Sequence, residues 1–151
     1  KLEEIERCDR EAIEQLGQMT EREFLVAGVA LYAGEGAKTD GAIKFANTNP
    51  ALIVFFVTWL RRFFEIDESR LRINLYLHEG LDLDGAVDFW AGLTAIPPTQ
   101  FTKPYRAAPN PTRRHSKHVM GCPCIVYSDS LKHRRVMGMV RAIASKEAFP
   151  G

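Results

Sequence analysis

Residues 20–36 read TEREFLVAGVALYAGEG, and this stretch restricts the fold more than any other part of the chain. Thr20 and Glu23 have the spacing of a capping box, in which each side chain satisfies the other residue's backbone N–H, so a helix is expected from about Glu21. Along it Ala27, Ala30 and Gly34 fall at i, i+3 and i+7, a stripe of very small side chains on one face. Such a stripe lets a second helix backbone approach closely, as a leucine face would not. Glycine inside a helix costs roughly 1 kcal/mol relative to alanine, so Gly28 and Gly34 are expected to gain from close contact. Gly36 ends the run. Glu35 then lies in the last turn, where the exposed carbonyls repel a carboxylate and a divalent cation would relieve the repulsion. An ordinary buried helix with a glycine cap accounts for the same spacing.

The remaining periodicities alternate between helix and strand. Leu2, Ile5, Ala12, Ile13 and Leu16 line one side of a charged stretch over residues 2–18, an amphipathic helix or a linker from a missing upstream segment. Ile43–Asn47 reads as a short strand. Asn49-Pro50 supplies a cap and a first-turn proline for a helix from Ala51 to about Phe64, apolar nearly all round and expected to be deeply buried. Residues 70–77 alternate strictly, with Leu71, Ile73, Leu75 and Leu77 on one side and Arg70, Arg72, Asn74 and Tyr76 on the other. A helix over Ala86–Ala95, capped by Asp84, should turn Val87, Phe89, Trp90 and Leu93 inward. Residues 99–118 form a basic, proline-rich loop with room for one short strand. A strand over Cys122–Tyr127 and a helix over Leu131–Ala144, with Val136, Met139, Val140 and Ile143 inward, complete the order. Interleaved helices and half-polar strands predict an α+β domain, an antiparallel sheet with helices on one face.

Charge is unevenly distributed. Residues 1–100 hold 10 Lys/Arg against 17 Asp/Glu, whereas residues 101–151 hold 10 against 2. The basic last third suits a polyanion, or else a solvated surface paired with the acidic part. Cys8, Cys122 and Cys124 are too few for a disulfide framework, which points to a reducing cytoplasm. The longest apolar run, Ala51 to Leu60, is too short for a membrane span, so no membrane partner is expected.

An exposed strand face carrying Arg70, Arg72, Asn74 and Tyr76 presents groups suited to base edges and phosphates, and Lys44 and Asn47 extend it. A solvated sheet face with incidental arginines is the plainer reading. Arg106, Arg113, Arg114 and Lys117 in the loop are candidate phosphate contacts, giving affinity and salt dependence rather than sequence choice. The basic residues of the last helix read better as its wet face.

Ala30-Leu31-Tyr32-Ala33-Gly34-Glu35-Gly36 resembles the end of the LAGLIDADG motif of homing endonucleases, common variants of which finish in Gly-Glu-Gly. The strand ending in Asn47, the long apolar helix and the Arg-rich strand follow in the matching order. The resemblance covers about residues 20–144, with residues 82–118 as an insertion and 145–151 as a tail. It implies a homodimer packed through Ala27, Ala30 and Gly34, and a curved sheet lying in the major groove of double-stranded DNA. It makes Glu35 the metal-binding, catalytic acid, with Mg²⁺ as cofactor if the chain is catalytic. Ala33 stands where a further motif acid occurs, and no basic partner for Glu35 is evident. Some domains of this kind bind DNA without cutting it. The expectation is therefore a DNA-binding homodimer, nucleoid-associated and compatible with a regulatory use. A Mg²⁺-dependent endonuclease and a dimerisation domain that binds no nucleic acid are the alternatives.

His115, His118, Cys122 and Cys124 offer four zinc-type ligands within ten residues, at a spacing unlike that of a standard finger. Otherwise the cysteines are small core residues. His78-Glu79-Gly80 lacks the second histidine of a zincin and reads as a turn at a strand end.

Overall fold

The computed structural model describes residues 1–102, 104–107 and 118–151, of Tyr105–Ala107 the backbone alone. Among the described residues five α-helices and four strands follow one another: α1 (Leu2–Leu16), α2 (Glu21–Glu35), β1 (Ile43–Ala46), α3 (Pro50–Phe63), β2 (Arg72–His78), α4 (Leu83–Thr94), β3 (Tyr105–Ala107), β4 (Cys122–Tyr127) and α5 (Ser130–Ile143). The strand order is β1-β4-β2-β3, antiparallel from β1 to β2. The edge strand β3 runs parallel to β2, so the sheet is mixed rather than purely antiparallel.

Local signals start the elements. Thr20 and Glu23 form the complete capping box of α2, with Glu23 N–H donating to Thr20 Oγ1 at 3.2 Å and Thr20 N–H to Glu23 Oε1 at 3.0 Å. Asn49 Oδ1 accepts from Ala51 N–H ahead of Pro50 in the first turn of α3. The cap of α4 is Asp82, which accepts from Gly85 N–H, rather than Asp84, and the helix starts three residues earlier than expected. Both acids precede the apolar run, and only the backbone conformation distinguishes them.

Ile43, Phe45, Ile73, Leu75, Leu77, Ile125 and Tyr127 turn to one side of the sheet and meet α2, α3 and α5 in a single core. Phe56 lies at its centre, stacked on Phe45 with ring centroids 4.4 Å apart. α3 is less enclosed than its composition predicts: Ile53, Phe56, Val57, Trp59 and Leu60 are buried, whereas Val54 and Thr58 face out. α4 presents Ala86, Trp90 and Thr94 inward and leaves Phe89 and Leu93 exposed, because Trp90 Nε1 donates to the Met120 carbonyl at 2.8 Å and sets the rotation of the helix. In α5, Val136 is buried with His133, while Met139, Val140 and Ile143 are half-buried against the core. α1 buries no residue. Among the described residues no helix is long and apolar enough to cross a membrane.

Candidate nucleic-acid interface

The side of the sheet away from the core is assembled by strand alternation and register. Lys44, Val126 and Arg72 stand in one row across β1, β4 and β2; Ala46, Cys124 and Asn74 stand in the next. Tyr76 pairs with Cys122 in the row after that. Lys44, Arg72, Asn74 and Tyr76 are exposed, so the sheet presents a basic and hydrogen-bonding face on its open side.

The side chains of that face are partly committed. Arg72 Nη1 donates to the carbonyls of Ser69 and Leu71 at 2.6 and 2.8 Å, which holds the guanidinium at the start of β2 and leaves its other N–H groups outward. Thr102 Oγ1 donates to Asn74 Oδ1, so the Asn74 carboxamide offers its NH₂ rather than its oxygen. Arg70 departs from the expected alternation. It closes the 3-10 turn Glu68–Arg70 before β2, donates to the Ser128 carbonyl, lies 3.9 Å from Asp129 and stacks on the Tyr127 ring. It belongs to the sheet's end rather than to its face, because the strand starts two residues later than the apolar alternation suggests. Asn47 follows β1; it is half-buried, and its Oδ1 accepts from Asn49 N–H in the turn into α3. The Arg106 side chain and all of Arg113, Arg114 and Lys117 lie outside the described residues.

Cys122 and Cys124 are not core residues. Both lie half-buried on the open side of the sheet, and burial pushes both thiols up from their ordinary pKa. Neutral thiols between Lys44, Arg72 and Asn74 add no negative charge to that face. Of the four zinc-type ligands suggested by spacing, His115 lies outside the described residues. Among the described residues no group of three or more His, Cys, Asp or Glu is placed to hold a metal.

The small residues of α2 divide between its inner and its outer side. Gly28 faces the core, under the indole of Trp59. Ala30 and Gly34 are exposed and Ala27 is half-buried, and nothing lies within 4 Å of a Cβ placed on Gly34. At the end of α2, Gly36 bridges Phe45 of β1 in an extended conformation, φ −76°, rather than the left-handed one common at helix ends. Glycine is required there for space: a Cβ would come within 2.4 Å of the Tyr32 ring.

No protein-family model matches the chain, and neither does any curated protein.

Glu35 is exposed and makes no ion pair with a described residue. The negative end of α2 already has a cation, because the Lys38 ammonium donates to the carbonyls of Gly36 and Tyr32, the latter at 3.2 Å. The cation that the helix end was expected to recruit is thus supplied by the chain's own lysine. Behind it, Tyr32 Oη donates to the Ala37 carbonyl at 2.8 Å, and His133 Nε2 lies 3.0 Å from the same oxygen. Ala37 N–H in turn donates to the Lys44 carbonyl at 2.9 Å. Glu35 and Lys44 are therefore held in fixed relation. Neither Lys38 nor His133 stood out in the sequence, although His133 shares the three-residue spacing of Val136 and Met139 and so belongs to the same helix side.

Proposed function

We propose that this chain binds double-stranded DNA as a homodimer of LAGLIDADG-like domains, with the open side of its sheet against the duplex. The observation that carries this reading is the register that sets Lys44 and Arg72 in one row and Asn74 in the next, on the sheet side away from the described helices of the core. Lys44 and Arg72 would meet phosphates, and the Asn74 NH₂ and Tyr76 would read base edges. The exposed part of the α2 stripe, Ala30 and Gly34, supports a second copy packed helix against helix, each bringing its own Glu35 towards the axis. The reading is tested by binding of the chain to a pool of duplex DNA at increasing salt. Affinity that falls steeply with salt is the expected result. Undetectable binding at low salt favours a dimerisation domain that uses no nucleic acid.

Cleavage is the second reading, and Glu35, exposed and without an ion pair among the described residues, favours it. Two such carboxylates at a dimer axis would suit Mg²⁺ ions that activate water and stabilise the leaving oxygen. Lys38 at the helix end weighs against it, since that ammonium already neutralises the carbonyls a metal would share. Binding without cleavage is the preferred function.

A further inference from the structure

Among the described residues, α1 is the only α-helix that buries none of its side chains. Its apolar side is open, with Leu2 77%, Ile13 73% and Leu16 75% exposed. A lone fifteen-residue helix is marginal in water, and an apolar face this open calls for a cover. The charges around it restrict what that cover is. α1 carries six acids against two arginines, and helical spacing sets Asp9 within the apolar side and Glu6 at its edge, while Glu11 on the far side pairs with Arg7. A second α1 would place Glu6 and Asp9 against the same acids.

The opposite pattern stands on α5. It carries Lys132, Arg134, Arg135 and Arg141 and no acid. Arg134 is held by Asp40 and Lys132 by Asp129, whereas Arg135 lies over the Phe64 ring and Arg141 pairs with no described residue. Between them Gly138 makes a low point, where an added Cβ would meet nothing nearer than Arg141 at 3.9 Å. α5 starts beside the end of α2, with His133 on Ala37 and Arg134 on Asp40, so its Arg141 end lies towards the start of α2, where α1 departs. The departure is made through Gly17 at φ +59°, a conformation other residues rarely adopt.

We propose that α1 of one copy lies along α5 of a second copy, its apolar side over Gly138 and its Glu6 and Asp9 against Arg135 and Arg141. The exchange is independent of DNA binding and of the α2 stripe. It is tested by hydrogen exchange on the whole chain with two charge-reversed variants, Glu6→Arg with Asp9→Arg, and Arg135→Glu with Arg141→Glu, near-UV circular dichroism confirming that each folds. If Arg135→Glu disturbs Phe64 and the fold, Arg141→Glu alone replaces the second pair. In the wild type the amides of residues 2–16 should exchange roughly tenfold or more slowly than in either variant alone. Mixing the two variants should restore the protection, since each then offers the other an opposite charge. Protection that mixing fails to restore, or that either variant retains alone, overturns the proposal; so does fast exchange in the concentrated wild type. Charge reversal on α5 that abolishes duplex binding while α1 protection is unchanged makes α5 a nucleic-acid surface and also overturns it.

Discussion

The indole of Trp59 occupies the space that a side chain at position 28 would need. A Cβ on Gly28 would come within 2.1 Å of the ring, and Nε1 of the same indole donates to the Leu25 carbonyl at 3.0 Å. One glycine of α2, Gly28, is thus fixed by contacts inside the chain, and the other, Gly34, faces outward.

The two glycines should respond oppositely to substitution. Gly28→Ala forces the indole off its carbonyl partner and should cost about 3 kcal/mol, as overpacking of a filled core does. Gly34→Ala meets nothing and should leave the fold as stable or raise it by up to roughly 1 kcal/mol through helix propensity. Urea unfolding measures both. Gly34→Leu and Ala30→Leu should keep the fold and lower the mass seen by sedimentation from dimer to monomer. A wild type that sediments as a monomer at high concentration removes the stripe as an interface.

DNA binding should lose part of its salt dependence when Lys44 and Arg72 are both replaced by Ala. Each phosphate contact contributes roughly 0.9 to the slope of log K against log salt, so the double variant should reduce that slope by about 2. Asn74→Ala should instead flatten the preference between a selected duplex and random DNA. Slopes that do not change in the double variant would put the phosphate contacts elsewhere on the chain.

Glu35→Gln separates binding from cleavage. For a binder, removing a negative charge that faces phosphates leaves affinity unchanged or raises it. For a nuclease, Mg²⁺-dependent nicking of supercoiled DNA by the wild type disappears in the variant while binding survives. Only the first pattern fits the preferred function.

Acid should weaken the fold through two carboxylates at the start of α5. The Arg134 guanidinium beside Asp40, and the backbone N–H of Lys132 beside Asp129, hold these carboxyls below the ordinary range. A depressed carboxyl stabilises the folded state above its unfolded pKa, about 3.9 for Asp, and that contribution is lost as pH falls through the lower folded value. Urea midpoints should therefore hold from neutral pH to about 5 and drop below about 4. Asp40→Asn should make the drop shallower. A steeper drop in that variant contradicts the assignment.

The sequence was most legible where a residue's partner is close along the chain. The Thr20–Glu23 box and the Asn49 cap rest on contacts within a few residues, the alternation of Leu71 to Leu77 is written in consecutive positions, and the structure contains each of them. The face of α4 is not legible in its own residues, because its rotation depends on Trp90 reaching Met120, thirty residues away. Alternation misplaces Arg70, because the apolar period continues through Leu71 while the backbone is still in a 3-10 turn. Small size and low polarity suggest the core for the cysteines; only the pairing of β4 with β1 and β2 puts them on the open side. Lys38 serves the end of α2 from a loop, and no periodicity marks a residue of that kind.

The strand order has a consequence for how the chain is made. β4 stands between β1 and β2 yet is the last of the three to be synthesised. Until Cys122–Tyr127 leaves the ribosome, β1 and β2 have no strand between them, and the edge that each turns to β4 remains open. Long-range pairing of this kind is slow and leaves the nascent chain prone to aggregation. Assembly of the sheet therefore waits for the last part of the chain, and a product that stops short of β4 should be cleared as misfolded rather than persist as a smaller domain.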